Sequence, residues 1–349
     1  MRLLVVGTGS MAAGHVKAFQ SFDGVDVVGA VEIDATRRAA FADRFEIEQR
    51  FASVDEALAW GKFDAVTNVT PDAVHHRTTM PFLRAGKHVL CEKPLATNAA
   101  DAAEMAQLAA EMGVINMVNL TYRNVSALQA ARDAVAAGKI GAVRHLDAAY
   151  LQSWLTSNAW GDWRAEQRWL WRLSTAHGSH GVLGDVGVHI VDFASFAAGM
   201  DVTSVQAKLH TFDKAPGGKI GDYTLDANDS FAMSAAMENG ALASIHASRF
   251  ATGHLNQLSL RIFGTLGGIE ITNDGELGTM RTCFGDAMHQ AKWTEVELQP
   301  VPTNYEKFAQ AVAAGQPVAP DFAHAAKLQA VLDGAMASDA SGQSVAIKA

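Results

Sequence analysis

The sequence predicts an α/β protein in two parts, a doubly wound parallel sheet over residues 1–120 and a domain built on a mainly antiparallel sheet over residues 121–349. Three observations predict it. Short β-branched runs alternate with longer helical patterns through the first 120 residues, the strand-like runs there are apolar throughout, and after about residue 120 strand-like segments follow one another through turn signals. Strands that are apolar on both faces have to be buried on both faces, which helices on either side of a parallel sheet provide.

Leu3–Val6, Val25–Val31, Ala65–Val69, His88–Leu90 and Val114–Val118 read as strands, and Met11–Phe22, Thr36–Phe45, Val54–Trp60, Val74–Ala85 and Ala99–Met112 carry helical periodicity. Gly24, Gly61, Gly86 and Gly113 stand at the joints, and Asn98 offers a helix N-cap. In the second part Val143–Leu151, Thr203–Phe212, Asp229–Met237, Ala241–Ser248, Leu258–Phe263 and Gly268–Ile271 are strand-like, with Glu238-Asn239-Gly240 as a hairpin connector. Gly184–Ala197 reads as a helix on one side of that sheet, and Tyr305–Ala314 and Phe322–Ala340 look helical again.

Composition excludes several classes. Hydrophobic residues make up 49% and charged residues 19%, which is globular and not disordered. The formal charge of −9 comes without a basic run, so a nucleic-acid partner has no electrostatic footprint. Cys91 and Cys283 lack the paired spacing of a zinc or redox site, which suits a reducing compartment. No window approaches the roughly 20 apolar residues of a membrane span. The short apolar start passes straight into a helix pattern, unlike a signal peptide, and a cytoplasmic location is expected. No His/Asp/Glu grouping has metal-ligand spacing, so no metal is expected and a zinc alcohol dehydrogenase is disfavoured. Ser10 and Ser179 lack a nucleophile elbow, which disfavours a serine hydrolase.

Gly7-Thr8-Gly9-Ser10-Met11-Ala12 fits G-x-G-x-x-G/A directly after the first strand. Gly7 allows the tight turn, Gly9 the close approach of a pyrophosphate, and Ala12 the helix–strand contact, while the helix N-terminus favours phosphate charge. Glu32, at the end of the second strand, is placed to bond the adenosine ribose diol. A carboxylate there favours NAD, because it would repel the 2′-phosphate of NADP. Arg37 and Arg38 keep NADP as the alternative, against a plainer reading as solvated charges.

Cys91-Glu92-Lys93-Pro94 follows the fifth strand, at the carboxyl edge of the sheet where such folds bind ligands. With this element the chain resembles the Gfo/Idh/MocA family of sugar and inositol oxidoreductases. The matching stretches are GTGSMA at 7–12, TPDAVH at 70–75, AGKHVLCEKPLA at 85–96, GKIGAVR at 138–144, WR at 171–172, LGDVGVHIVD at 183–192 and FGTLGGIEI at 263–271. The resemblance implies a Rossmann domain followed by an open-faced α/β domain whose sheet often mediates dimers or tetramers, with the nicotinamide between them. It passes the catalytic roles to Lys93, Asp185 and His189. It adds Thr70, Pro71, His75, Glu92, Lys93, Trp171 and Arg172 to the cofactor side, beside Gly7, Gly9, Ser10, Met11, Ala12 and Glu32, and Tyr122 to the substrate side.

Physical chemistry is consistent with those roles. Four residues apart on a helix, Asp185 and His189 share a face, with Asp192 one turn further along. A histidine of near-neutral pKa can take the proton of a carbinol as its hydride leaves, while Lys93 steadies the oxygen and Asp185 orients the substrate or the histidine. Gly178, Gly181, Gly184 and Gly187 suggest backbone passing close to a cofactor. Trp154, Trp160, Trp163, Trp169 and Trp171 suggest either a wall for a sugar ring or a subunit interface, with Gln152 and Trp154 favoured as substrate contacts. The expectation is an NAD-dependent dehydrogenase for a secondary alcohol of a monosaccharide, anhydrosugar or cyclitol, acting as a homodimer or homotetramer. The alternatives are NAD-assisted glycoside cleavage in a closed redox cycle and a non-catalytic sugar and dinucleotide sensor.

Overall fold

Leu3, Leu4 and Val5 are fully buried in the first strand of the computed structural model, which describes residues 1–348. The chain runs β1 (Arg2–Val6), α1 (Ala12–Gln20), β2 (Asp26–Val31), α2 (Ala35–Arg44), β3 (Gln49–Phe51), α3 (Val54–Trp60), β4 (Ala65–Asn68), α4 (His75–Arg84), β5 (His88–Cys91), α5 (Ala99–Glu111) and β6 (Asn116–Val118). These strands form a sheet in the order β3-β2-β1-β4-β5-β6, every neighbouring pair parallel. The order reverses between β1 and β4, the switch point where doubly wound sheets bind ligands at their carboxyl ends. Gly7 turns the chain there with φ of 87°, and a Cβ on it would stand 2.8 Å from the Val69 carbonyl oxygen. Asp34, Ser53 and Asn98 cap α2, α3 and α5 by accepting the N–H groups of Arg37, Glu56 and Asp101.

The chain continues through α6 (Ser126–Ala136), β7 (Val143–Gln152), α7 (Gln167–Leu170), α8 (Val188–Ala198), β8 (Val202–His210), β9 (Lys219–Ile220), β10 (Tyr223–Thr224), β11 (Ser230–Met237), β12 (Leu242–Ser248), β13 (Asn256–Gly264), β14 (Gly267–Thr272), β15 (Thr279–Phe284), β16 (Thr294–Glu295), α9 (Asn304–Ala314), α10 (Phe322–Ser341) and β17 (Val345–Ala346). A second sheet has the order β16-β15-β14-β13-β7-β12-β11-β8-β17. Its pairs are antiparallel except β12 with β7. Burial alternates along β11 and β12, which leaves one face open while α8 covers β7, β12 and β13 on the other. Asn239 sits in the hairpin between β11 and β12, as its turn chemistry predicts.

The chain divides into two units, Met1–Thr121 with Pro302–Gln329, and Tyr122–Val301 with the chain from Ala330 onward. The boundary read from the sequence leaves 302–329 with the second part, whereas the structure folds it into the first. Phe308, Ala309 and Ala311 of α9 join Leu3, Phe19, Leu90 and Met117 in one core. The Pro320 carbonyl accepts the Val118 N–H at 2.9 Å, on the outer edge of β6. Helical periodicity marks the apolar stripe of α9 but not the sheet that receives it. Tyr122 and Arg123 lie beyond β6, which stops at Val118, in the 3-10 turn Thr121–Asn124. Among the described residues no helix is long and apolar enough to cross a membrane.

Candidate functional site

In the first unit the dinucleotide motif lies where the strand order reverses. Gly9, Ser10 and Met11 are exposed, and among the described residues beyond its two chain neighbours no atom lies within 4 Å of a Cβ built on Gly9. Ala12 is fully buried against a core that includes Val5 and Ala30. Just past β2, Glu32 Oε2 accepts from Thr8 Oγ1 (2.8 Å) and Thr8 N–H (3.3 Å). Its Oε1 accepts from Asp34 N–H (3.0 Å) and Arg37 Nη2 (2.9 Å). Burial raises the pKa of Glu32, but the bonds from Asp34, Thr8 and Arg37 outweigh it and hold the group below the ordinary carboxylate value. The anion is therefore fixed just past β2, with Thr8, Asp34 and Arg37 on its two oxygens. Arg37 is bonded to that carboxylate and Arg38 to the Glu32 carbonyl (2.6 Å), while the Arg37 side chain stays largely exposed. Ile33, beside Glu32, is 83% exposed and offers an apolar surface that the sequence reading passed over.

Glu92 and His75 both turn inward. Glu92 Oε1 accepts from His15 Nε2 (2.8 Å) and Asn119 Nδ2 (2.7 Å), and Oε2 from the Lys93 N–H (3.2 Å). Burial raises the Glu92 pKa, but His15, Asn119 and Lys93 outweigh it and lower it to about 2. Its carboxylate thus holds the Lys93 backbone N–H, and Lys93 itself is half-buried. His15 Nδ1 faces Thr67 Oγ1 at 2.7 Å, and Asn119 Nδ2 also donates to the Tyr305 hydroxyl at 3.1 Å. The sequence reading missed His15, although it shares the buried α1 stripe with Ala12, Val16 and Phe19 and is its one polar member. His75 is completely buried, with Nδ1 on the Pro94 carbonyl (2.7 Å) and Nε2 on the Thr70 carbonyl (2.8 Å), so it clamps the two loops. Thr70 donates through N–H and Oγ1 to Asn68 Oδ1, while Pro71 is exposed.

In the second unit Asp185 lies in the π-helical turn Leu183–Gly187 and His189 in the first turn of α8. The wider turn is a local departure from α-geometry of the kind found at functional sites. Asp185 Oδ2 accepts from Arg249 Nη2 at 2.9 Å. The His189 ring meets Tyr122 edge-on at 4.9 Å and lies 6.4 Å from the Tyr150 ring. The Tyr150 hydroxyl is 2.5 Å from that of Tyr122 and donates to Asn256 Oδ1 at 2.8 Å. Asn256 Nδ2 returns a bond to the Tyr122 hydroxyl (2.8 Å), and Gln152 Nε2 donates to Asn256 Oδ1 (2.9 Å). Burial pushes the Tyr150 pKa well up, aided by Tyr122 and by the charge of Asp185. Asp185, His189, Tyr122 and Gln152 are therefore gathered around Tyr150, which the sequence reading missed together with Asn256 and Arg249. Asp192 does not share their surface. It is buried and receives Arg123 Nε (3.0 Å) and Nη2 (2.6 Å), so Arg123 is an anchor, while Tyr122 faces His189.

The tryptophans divide by burial. Trp154 and Trp163 are buried with Leu155, Leu170, Leu173 and Leu225 in a local core, and Trp160 and Trp169 pack on it. Trp154 Nε1 donates to Gln152 Oε1 (3.2 Å), which links it to the polar cluster through Gln152. Trp171 is 37% exposed, with the Arg172 guanidinium 4.5 Å above its ring. Gly181 and Gly184 make room for the chain itself, since a Cβ would stand 2.3 Å from Asn228 Nδ2 and 2.3 Å from His180 Cβ. Among the described residues His76, Asp101 and Glu104 bring three possible metal ligands within 4.8 Å, and His76 Nε2 is already bonded to Glu104 (2.9 Å).

Fold and motifs define a Rossmann-type oxidoreductase. Residues 1–120 match the oxidoreductase family with an NAD-binding Rossmann fold, and residues 128–270 match the GFO/IDH/MocA C-terminal domain. The chain belongs to the Gfo/Idh/MocA family; it is an NAD(P)-dependent oxidoreductase acting on CH–OH groups, with NAD as its cofactor. It is 33% identical over 245 residues to the 1,5-anhydro-D-fructose reductase of Ensifer adhaerens, a match covering 69% of this chain and 67% of that one. An oxidoreductase domain protein from Kribbella flavida superposes with a TM-score of 0.87 at 29% identity, covering 100% and 99% of the two chains. A levoglucosan dehydrogenase solved with NADH and L-sorbose also reaches 0.87, at 25% identity and the same coverage.

Proposed function

We propose that this chain is an NAD-dependent dehydrogenase that oxidises a secondary alcohol of a monosaccharide, anhydrosugar or cyclitol by hydride transfer to the nicotinamide. The observation that carries this reading is the polar cluster of the second unit. Asp185, Tyr122, Gln152 and Asn256 bring carboxylate, hydroxyl and amide groups together around Tyr150, with Tyr122 edge-on to the His189 ring, the mixture of donors and acceptors that a polyhydroxylated ring requires. In this proposal Lys93 donates to the substrate oxygen, His189 takes the hydroxyl proton and Asp185 orients the substrate. Gly7, Gly9, Ser10, Met11, Ala12 and Glu32 hold the dinucleotide, with Thr70, Pro71, Trp171 and Arg172 completing its site, while His75 and Glu92 serve it from within the fold.

The relatives' names support the substrate class: one reduces 1,5-anhydro-D-fructose, and another was solved with a ketose beside NADH. A homodimer or homotetramer joined through the open sheet face, working in the cytoplasm, belongs to the same proposal. Leu242 and Phe263 are exposed on β12 and β13 and suit such a contact. The test is NADH formation at 340 nm over a panel of pyranoses, anhydrosugars and inositols. Turnover by the native chain, lowered by orders of magnitude in a folded Lys93→Ala variant, is the expected result. Product without net NADH would move the assignment to a closed redox cycle, and binding without turnover to a sensor.

A further inference from the structure

Arg249 lies one residue beyond β12 and is completely buried. Its Nη2 donates to Asp185 Oδ2 (2.9 Å) and its Nη1 to the carbonyl of Arg172 (3.1 Å). The guanidinium carbon sits 5.1 Å from the centre of the Trp154 ring. Its own N–H is held by the Asp229 carbonyl at 3.0 Å. Nε, by contrast, has no hydrogen-bond partner among the described residues. Burial works against the charge and lowers its pKa, and the charges of Asp185 and Asp229 oppose that effect. A buried guanidinium with one nitrogen unsatisfied is a costly way to fill space, and an apolar side chain of similar volume would serve packing as well or better. Its guanidinium meets Asp185, the backbone of the Trp171-Arg172 turn and the Trp154 ring, each drawn independently into the site by sequence pattern. The same Arg172 carbonyl also accepts from Ser179 Oγ (2.6 Å), so the turn is held from two sides.

We propose that Arg249 is a positioning residue for the dehydrogenase site, fixing the Asp185 carboxylate and the Trp171-Arg172 turn in one geometry with the two arms of its guanidinium. The inference rests on the reading of Asp185 as the residue that orients the substrate. Lysine can keep a cation beside Asp185 but is a point charge without the planar fork, so it cannot serve both acceptors as arginine does.

The experiment is a double-mutant cycle of Arg249→Lys and Asp185→Asn in the full chain, read as kcat, KM and polyol affinity of the NADH-bound protein by calorimetry. Arg249→Lys is expected to lower kcat/KM by about 100-fold through misplacement of Asp185, with a raised polyol Kd and an NADH Kd unchanged within about threefold. In the Asp185→Asn background the same substitution is expected to cost little more, because residues acting through one another are not additive. An equal loss in both backgrounds, or a loss that only tracks the folded fraction while KM stays native, overturns the proposal. Should Arg249→Lys fail to fold, Arg249→Gln, which keeps an N–H donor without the charge, goes through the same cycle. If the native chain binds polyols without turnover, the dehydrogenase reading fails alone and coupling in the binding cycle still decides the role of Arg249. A native chain that neither turns over nor binds any polyol overturns both.

Discussion

Two carbonyl oxygens face the two ring nitrogens of His75, and a carbonyl can only accept, so both bonds exist only when the ring carries two protons. Burial opposes that charge, but Cys91, the Pro94 carbonyl and Asp72 outweigh it and raise the pKa from 6.5 to about 9. A raised pKa means stability that is fully present below pH 6.5 and lost as the pH climbs through about 9. The contribution at neutral pH is on the order of 3 kcal/mol. In urea titrations His75→Gln should therefore be less stable than the native chain at pH 6.5, and the gap should close by pH 9.5. A gap of constant size across that range would mean that His75 is neutral. The histidine itself was legible, since TPDAVH marks the loop, but its task was not: which atoms meet a ring is decided by residues far away in sequence. The same holds for Glu92, whose EKP spacing is plain while its partners His15 and Asn119 come from other elements. Lys93, Asp185 and His189 stand out because each sits in a short motif. Tyr150, Asn256 and Arg249 stand on or next to β7, β13 and β12, where strand alternation explains each of them without a function.

At the level of elements, legibility follows burial. The strands of the parallel sheet are apolar on both faces and could be read directly, whereas β3, Gln49-Arg50-Phe51, is an edge strand with one buried residue and left no pattern. β15 escaped for a similar reason, its buried Met280 and Cys283 lying among threonines and an arginine. The segment 153–173 shows a different limit. Tryptophan density marks it as special, but indole packs as well in a core as on a sugar, and the choice depends on the hairpin β9–β10, which supplies Ile220 and Tyr223 to the same cluster. The structure separates buried Trp154 and Trp163 from exposed Trp171. Trp163→Ala should cost about 3–5 kcal/mol, as a cavity in a closed core does, whereas Trp171→Ala at an exposed site should change stability by no more than about 0.5 kcal/mol. Denaturant unfolding of the pair checks this, and equal losses would dissolve the distinction. If Trp171 also serves the cofactor as proposed, its variant should weaken NADH binding while remaining as stable as the native chain.

At the scale of the molecule, the chain completes its first unit with residues that arrive some 180 positions later, as the Asn119–Tyr305 bond illustrates with a separation of 186. The family match at 1–120 and the change of texture near residue 120 both suggest a dinucleotide domain that ends there. The core says otherwise. Phe308, Ala309 and Ala311 belong to the cluster around Leu3, Phe19, Leu90 and Met117, and Tyr305, Val312 and Val318 pack against it. A fully buried large apolar side chain contributes about 1.5–3 kcal/mol, and a whole domain is stable by only about 5–15 kcal/mol, so losing this group removes a large part of the total. A fragment of residues 1–121 should accordingly melt without a cooperative transition and fail to enhance NADH fluorescence. The same fragment joined through a flexible glycine–serine linker to residues 302–329 should regain both properties, because the linker restores the missing face of the core and the Tyr305 hydroxyl that Asn119 reaches. Cooperative melting and NADH binding by the short fragment alone would show that the late segment only covers a sheet already stable without it.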